Sequence, residues 1–200
     1  AALNGAGESS WGTDSDSVPR NVRSCGGAAM NVLLHDGSGR RDLYTRRADG
    51  SFQADGFFQV FTKNEDGTYT LTYPNKGTWN FHGFTGAQHD GKIKDIVDRN
   101  GNTIGFAYDA FGRLETITDT LGREITVAYN ANGFVESVAD FSGRQVQYEW
   151  YDYCDPDPEV ACYGSFGDLE AATTPAVTDT PTGNDFPNGK RTEYTYTTRK

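Results

Sequence analysis

The chain has 200 residues and a mass of 21.9 kDa, which suits one ordinary domain or a slice of a larger one. It carries 18 Lys+Arg against 28 Asp+Glu, a formal net charge of −10. No basic stripe is offered to phosphates, which argues against a nucleic-acid or anionic-membrane partner. No apolar run reaches about 18 residues, so insertion into a membrane as a helix is not expected either. Aromatics make up 13%, glycine 24 of the 200 residues, and threonine outnumbers leucine 22 to 8. That is the composition of strands and tight turns, not of helices or of a disordered chain. The expected fold class is all-β.

In chain order, residues 1–30 read as an irregular arm of Gly, Ser, Asp and Asn, with Leu3, Trp11 and Met30 as its few large apolar residues. Residues 31–90 read as an antiparallel β-meander. Its runs are Val32 to Leu34, Asp42 to Thr45, Phe57 to Phe61, Tyr69 to Tyr73 and Thr78 to Phe81, with turn residues between them. Tyr69, Leu71 and Tyr73 alternate with threonines, and Trp79 and Phe81 share a face, which is the period-two pattern of half-buried strands.

Residues 91–153 hold three gapless copies of a 21-residue unit, starting at Gly91, Gly112 and Gly133. They read GKIKDIVDRNGNTIGFAYDAF, GRLETITDTLGREITVAYNAN and GFVESVADFSGRQVQYEWYDY. Matching columns are Ile93/Leu114/Val135, Ile96/Ile117/Val138, Asp98/Asp119/Asp140 and Gly101/Gly122/Gly143. Three more follow at period two: Ile104/Ile125/Val146, Phe106/Val127/Tyr148 and Tyr108/Tyr129/Trp150. Fixed-period self-similarity of this kind marks a repeat architecture. Each copy reads as one β-hairpin with a glycine supplying positive φ in its turn. The acidic column caps turn amides, and Asp109 or Asn130 opens the next turn. The first-strand apolar pair is spaced by three, which predicts a bulge.

Residues 154–166 read as a polar loop that a disulfide between Cys154 and Cys162 would close, a staple worth about 2–3 kcal/mol if unstrained. Such a bridge supports an exported protein. Residues 167–200 are a degraded fourth copy with a long Thr/Pro/Asp-rich hairpin loop. Gly189 to Tyr196 align with Gly143 to Trp150, so 189–197 is predicted to be a strand whose outer edge needs covering. The arm around Trp11 or another molecule would cover it.

Phe106-Ala107-Tyr108-Asp109-Ala110-Phe111-Gly112-Arg113-Leu114 and Val127-Ala128-Tyr129-Asn130-Ala131-Asn132-Gly133 resemble the YD repeats of the Rhs family. That family spans bacterial Rhs proteins, Tc-toxin cocoon proteins and teneurins. The resemblance implies hairpins joined into one long spiralling sheet, which in complete relatives closes into a hollow shell. About four copies are too few to close one. The family's self-cleaving Asp-Pro-x-Gly-Leu core is absent, since Asp155-Pro156 is followed by Asp157-Pro158.

The remaining chemistry is sparse. His82 and His89 flank a Gly-rich turn without further ligands at metal-site spacing, and Asp36 and Asp98 open turns that lack the glutamate of a calcium loop. No nucleophile motif or phosphate loop appears, so no catalytic residue, metal or cofactor is assigned. Tyr151 and Tyr153 fall opposite the Trp150 face and are the candidates for a surface role such as carbohydrate or receptor binding. Tyr194 and Tyr196 mark a candidate assembly edge. The expected function is a non-enzymatic, extracellular or cell-surface β-scaffold whose partner is further β-structure, in the same chain or in another copy. The alternatives are a self-assembling fibre subunit and a binding module.

Overall fold

The computed structural model describes residues 2–5, 31–35, 37–152 and 164–196. All regular structure among these residues is β. The chain forms two compact units, Ala1–Leu114 with Thr118–Thr120, and Glu115–Ile117 with Leu121–Lys200.

Unit 1 holds β1 (Ala2–Gly5), β2 (Val32–His35), β3 (Arg41–Arg46), β4 (Phe52–Gln53), β5 (Val60–Lys63), β6 (Tyr69–Thr72), β7 (Thr78–Phe81), β8 (Ile93–Val97) and β9 (Thr103–Tyr108). Each pairs antiparallel with the next in sequence. The division between units falls within β10 (Leu114–Thr118). Unit 2 continues with β11 (Glu124–Tyr129), β12 (Val135–Ala139), β13 (Gln145–Trp150), β14 (Leu169–Thr173) and β15 (Arg191–Glu193), again paired neighbour to neighbour. The fold is the open antiparallel meander of hairpins that the composition and the repeats predict.

Period-two alternation builds the core of unit 1. Cross-strand register runs Phe52↔Phe61, Phe61↔Leu71, Leu71↔Trp79, Trp79↔Ile96 and Ile96↔Ile104, so one apolar row crosses six strands. Phe61, Leu71 and Phe81 are fully buried, each such side chain contributing about 1.5–3 kcal/mol. Tyr44 meets Phe61 edge-on at 4.7 Å between ring centroids, and Phe61 meets Phe81 at 5.6 Å. The polar positions of the same strands form a second row. Asn64 Nδ2 donates to Thr70 Oγ1, the Thr70 hydroxyl donates to Asn80 Oδ1, and Asn80 Nδ2 donates to Asp95 Oδ1.

The expected bulges are present. Pairing skips Lys94 between Asn80↔Asp95 and Phe81↔Ile93, skips Glu136 between Ala128↔Ser137 and Tyr129↔Val135, and skips Glu170 between Glu149↔Ala171 and Trp150↔Leu169. The extra residue is what puts Ile93 and Ile96, three apart, on one face.

Four features differ from the sequence expectation. Residues 2–5 pair as β1 with β2 although the arm reads as irregular; the open edge of β2 supplies the ladder that their own weak strand propensity does not. The Phe57 run enters its strand only at Val60, because a turn with Gly56 at φ 80° bends the chain. Phe57 then packs on the core while Phe58 is 85% exposed. The predicted strand at 189–197 is limited to β15, after which only the Tyr194 amide, donating to the Glu170 carbonyl, continues the pairing before the bulge. Finally, past Ile93 the apolar repeat columns are half-buried or, at Ile104 and Ile125, exposed, while the core lies in residues 32–93.

Candidate functional site

The repeated hairpin is the feature of this chain with the most built-in chemistry. Its last strand ends in an aromatic whose polar tip reaches back to the start of the first strand. The Tyr108 hydroxyl donates to the Ile93 carbonyl at 2.6 Å, and Trp150 Nε1–H donates to the Val135 carbonyl at 2.6 Å. In the degraded fourth copy the Tyr196 hydroxyl donates to the Leu169 carbonyl at 2.9 Å. These carbonyls belong to corresponding positions, each directly before the residue that the bulge skips. The aromatic therefore ties the end of its hairpin to the bulge. Tyr129 occupies the same column, half-buried and opposite Val135. Burial pushes the Tyr108 hydroxyl up to about 12, which keeps it a donor at any physiological pH.

The turns are equally uniform. In the turn from Asp109, the Gly112 amide donates to the Asp109 carbonyl and the Asp109 amide donates to the Arg113 carbonyl. The same pair of bonds recurs from Asp98, Asn130 and Asp140. It is a type I turn closed by a left-handed residue, with Gly101, Gly112, Gly133 and Gly143 in that place. The opening side chain caps the loop. Asp109 Oδ1 accepts the Phe111 and Arg113 amides, and its Oδ2 accepts Arg113 Nε. Asp98 accepts the Asn100 and Asn102 amides, Asp140 those of Ser142 and Arg144, and Asn130 those of Asn132 and Phe134. The calcium-loop likeness at Asp98 is thus an amide-capped hairpin turn. Gly91 and Gly122 also take positive φ, 67° and 76°.

One position carries a role that sequence reasoning misses. In the first and third copies the residue after the leading glycine covers the aromatic of its own hairpin. Lys92 Nζ lies 5.3 Å from the Tyr108 ring centroid, and Phe134 stacks on Trp150 at 5.1 Å. The shared spacing was visible, but an ammonium and a phenyl ring look unrelated until both are seen on a π-face.

Around the fourth copy, Tyr151 is engaged within its own unit: its hydroxyl donates to the Tyr194 carbonyl at 2.9 Å and its ring meets Tyr196 edge-on at 6.2 Å. Tyr194 and Tyr196 are 39% and 40% exposed. Arg191 stands opposite Thr173 and pairs with Glu149 of β13 and with Glu193 of its own strand. Tyr153, Cys154 and Cys162, with Cys25 and Trp11, lie outside the described residues. His82 and His89 stand edge-on at 4.4 Å between ring centroids. Among the described residues, no group of three or more His, Cys, Asp or Glu is arranged to hold a metal.

Comparison with known proteins adds one match. Residues 89–124 match the family described as RHS Repeat. That stretch starts at His89 and ends at Glu124, covering the first copy and just over half of the second. The search of curated proteins finds no match to the chain.

Proposed function

We propose, from the match of residues 89–124 to the RHS Repeat family, that the chain works as a non-enzymatic β-scaffold, a wall segment of a shell on an exported bacterial protein. The observation that carries this is the constancy of the hairpin geometry. Register in β12–β13 runs Ser137↔Gln147, Val138↔Val146 and Ala139↔Gln145. In β14–β15 it runs Ala171↔Glu193, Ala172↔Thr192 and Thr173↔Arg191, the same columns although a long loop separates those strands. A hairpin that fixes its own register through a bulge, a capped turn and an aromatic tip can be added again and again without slippage. A wall needs that property, and an enzyme site does not.

A wall has two faces with different access. Ile104 lies on the aromatic-column face and is 43% exposed, while Ala107 alternates to the other face and is also exposed. Cysteine placed at either position should react with a small maleimide in the protein as its host exports it. With a bulky polyethylene-glycol maleimide only one of the two should react, because a closed wall admits small reagents and excludes large ones. Equal labelling of both by the bulky reagent would refute the wall and leave an open sheet. Joining of copies into a fibre through β15 is disfavoured by that strand's length of three residues and its charged side chains, features that blunt an edge. Carbohydrate binding through Tyr151 has against it that the hydroxyl already serves Tyr194.

A further inference from the structure

The connection between β7 and β8, residues 82–92, departs from the short turns around it and lies against two of them. A Cβ added to Gly83 would lie 2.5 Å from the Gly67 carbonyl oxygen, and one added to Gly112 would lie 2.3 Å from that of Gln88. Lys92 Nζ donates to the Gly112 carbonyl and lies over the Tyr108 ring. The loop thus fills the space between the turn at 64–68 and the turn at 109–113. At its base His82 and His89 are packed edge-on at 4.4 Å, and His82 meets the Tyr108 ring at 6.0 Å.

We propose that residues 82–92 form an acid-released clasp, held over the Gly112 turn while the His82 ring packed between His89 and Tyr108 is neutral and let go when that ring gains a proton. The charges around the pair make the case. His82 faces His89 and Asp90 from its own loop, Lys94 and Asp95 from β8, and Tyr108 from β9, over whose ring Lys92 also lies. Asp66 of the 64–68 turn lies close enough to interact with Lys94. Asp90, which accepts the Thr85 and Gly86 amides, and Asp95, which accepts Asn80 Nδ2, favour a charged ring, but burial, His89 and Lys94 outweigh them. A cationic His82 ring would lie edge-on against His89 and near the Lys94 ammonium, both of which disfavour its charge. Burial, then the nearby charge of His89 and that of Lys94, hold His82 below the ordinary imidazole value. The unfolded chain therefore binds more protons than the folded one as pH falls below 6.5, and the closed loop loses stability in that window. Tyr108 stays protonated throughout, so its own bond to Ile93 survives while the loop above it opens.

Amide hydrogen exchange on the intact chain tests this, read as protection factors at about pH 7.5 and about pH 5, on either side of the free imidazole value. Protection over 83–91 and 109–113 should fall several-fold on acidification, with β5 and β6 unaffected. His82→Gln with His89→Gln should hold protection at the same level at both pH values. Unchanged protection in the parent chain would overturn the clasp. So would an unaltered pH response in the double variant, which would assign the effect to carboxylates such as Asp90. Should the variant not fold, NMR titration of the parent histidines decides: a His82 ring titrating at or above the free value also refutes the proposal.

Discussion

Gly112 and Gly122 share a φ of 76° and differ in what surrounds them. A Cβ on Gly122 would meet nothing within 4 Å, while one on Gly112 would run into the Gln88 carbonyl and Lys92 Nζ. Alanine at Gly122 should cost roughly 1 kcal/mol, the strain of a left-handed residue. Alanine at Gly112 adds an overlap with backbone that cannot swing aside, and should cost roughly 2–5 kcal/mol. Denaturant titration of the two variants separates backbone strain from close approach; equal losses would mean that the 82–92 loop does not rest on the Gly112 turn. A second residue-scale expectation concerns Tyr108, whose hydroxyl burial pushes from 10.0 up to about 12. Between those values the unfolded tyrosine ionises and the folded one does not. Stability is therefore full below pH 10 and drains away as pH rises through the folded value. Tyr44 behaves alike for the same reason. Phenolate absorbance should show late-titrating tyrosines, one fewer in Tyr108→Phe, and that variant should lose about 1 kcal/mol for the missing donor to Ile93.

At the scale of the hairpin, the capped turn explains why acid should weaken this fold. Hydrogen bonds hold the carboxyls of Asp98, Asp109 and Asp140 below the usual carboxylate value: for Asp98 the Asn102 side chain and amide lead, for Asp109 the Arg113 amide and side chain outweigh its desolvation, and for Asp140 the Ser142 hydroxyl leads. A lowered folded value gives stability that is present above the ordinary 3.8 and lost as pH falls through the folded one. The second copy shows the alternative, since Asn130 accepts the same two amides without a charge. Asp109→Asn should keep the turn at neutral pH and flatten part of the acid limb of a pH–stability curve. An unchanged acid limb would assign acid sensitivity elsewhere. The hairpins, their turns and their bulges were legible in the sequence because each rests on a residue type that little else can replace: glycine at positive φ, Asp or Asn at the cap, an apolar pair spaced by three. The cover over the aromatic was not legible, because Lys92 and Phe134 reach the same place by different interactions. Nor was β1, whose Ala2 and Gly5 pair because β2 offers an edge. The period puts the aromatic column at Tyr108 and Trp150 on one face of its strands. Period fixes a shared face, but only the neighbouring layers decide how deeply that face is buried.

At the scale of the whole molecule, that distinction separates the two units by how each is held together. Unit 1 contains a continuous cluster from Val32 to Ile93, with Phe61, Leu71 and Phe81 at 0% exposure. In unit 2, Ser137, Gly164 and Ala171 are the buried residues among those described, and its large side chains, such as Phe134, Tyr148 and Trp150, are half-buried. Its strands rely on main-chain ladders, capped turns and the Trp150 and Tyr196 tip bonds. Hydrogen bonds contribute about 0.5–1.5 kcal/mol each and are lost one turn at a time, whereas a packed cluster is lost all at once. Native-state hydrogen exchange in rising denaturant should therefore show two classes of slow amides. Those of β5 to β8 should exchange only through global opening, with a free energy that falls steeply with denaturant. Those of β12 to β15 should open at lower free energy and with a shallower slope, since less surface is exposed when a hairpin of that unit lifts. A single class with one slope in both units would show that the half-buried aromatic row is as cooperative as the core, and that the hairpin is not the unit of stability in this repeat.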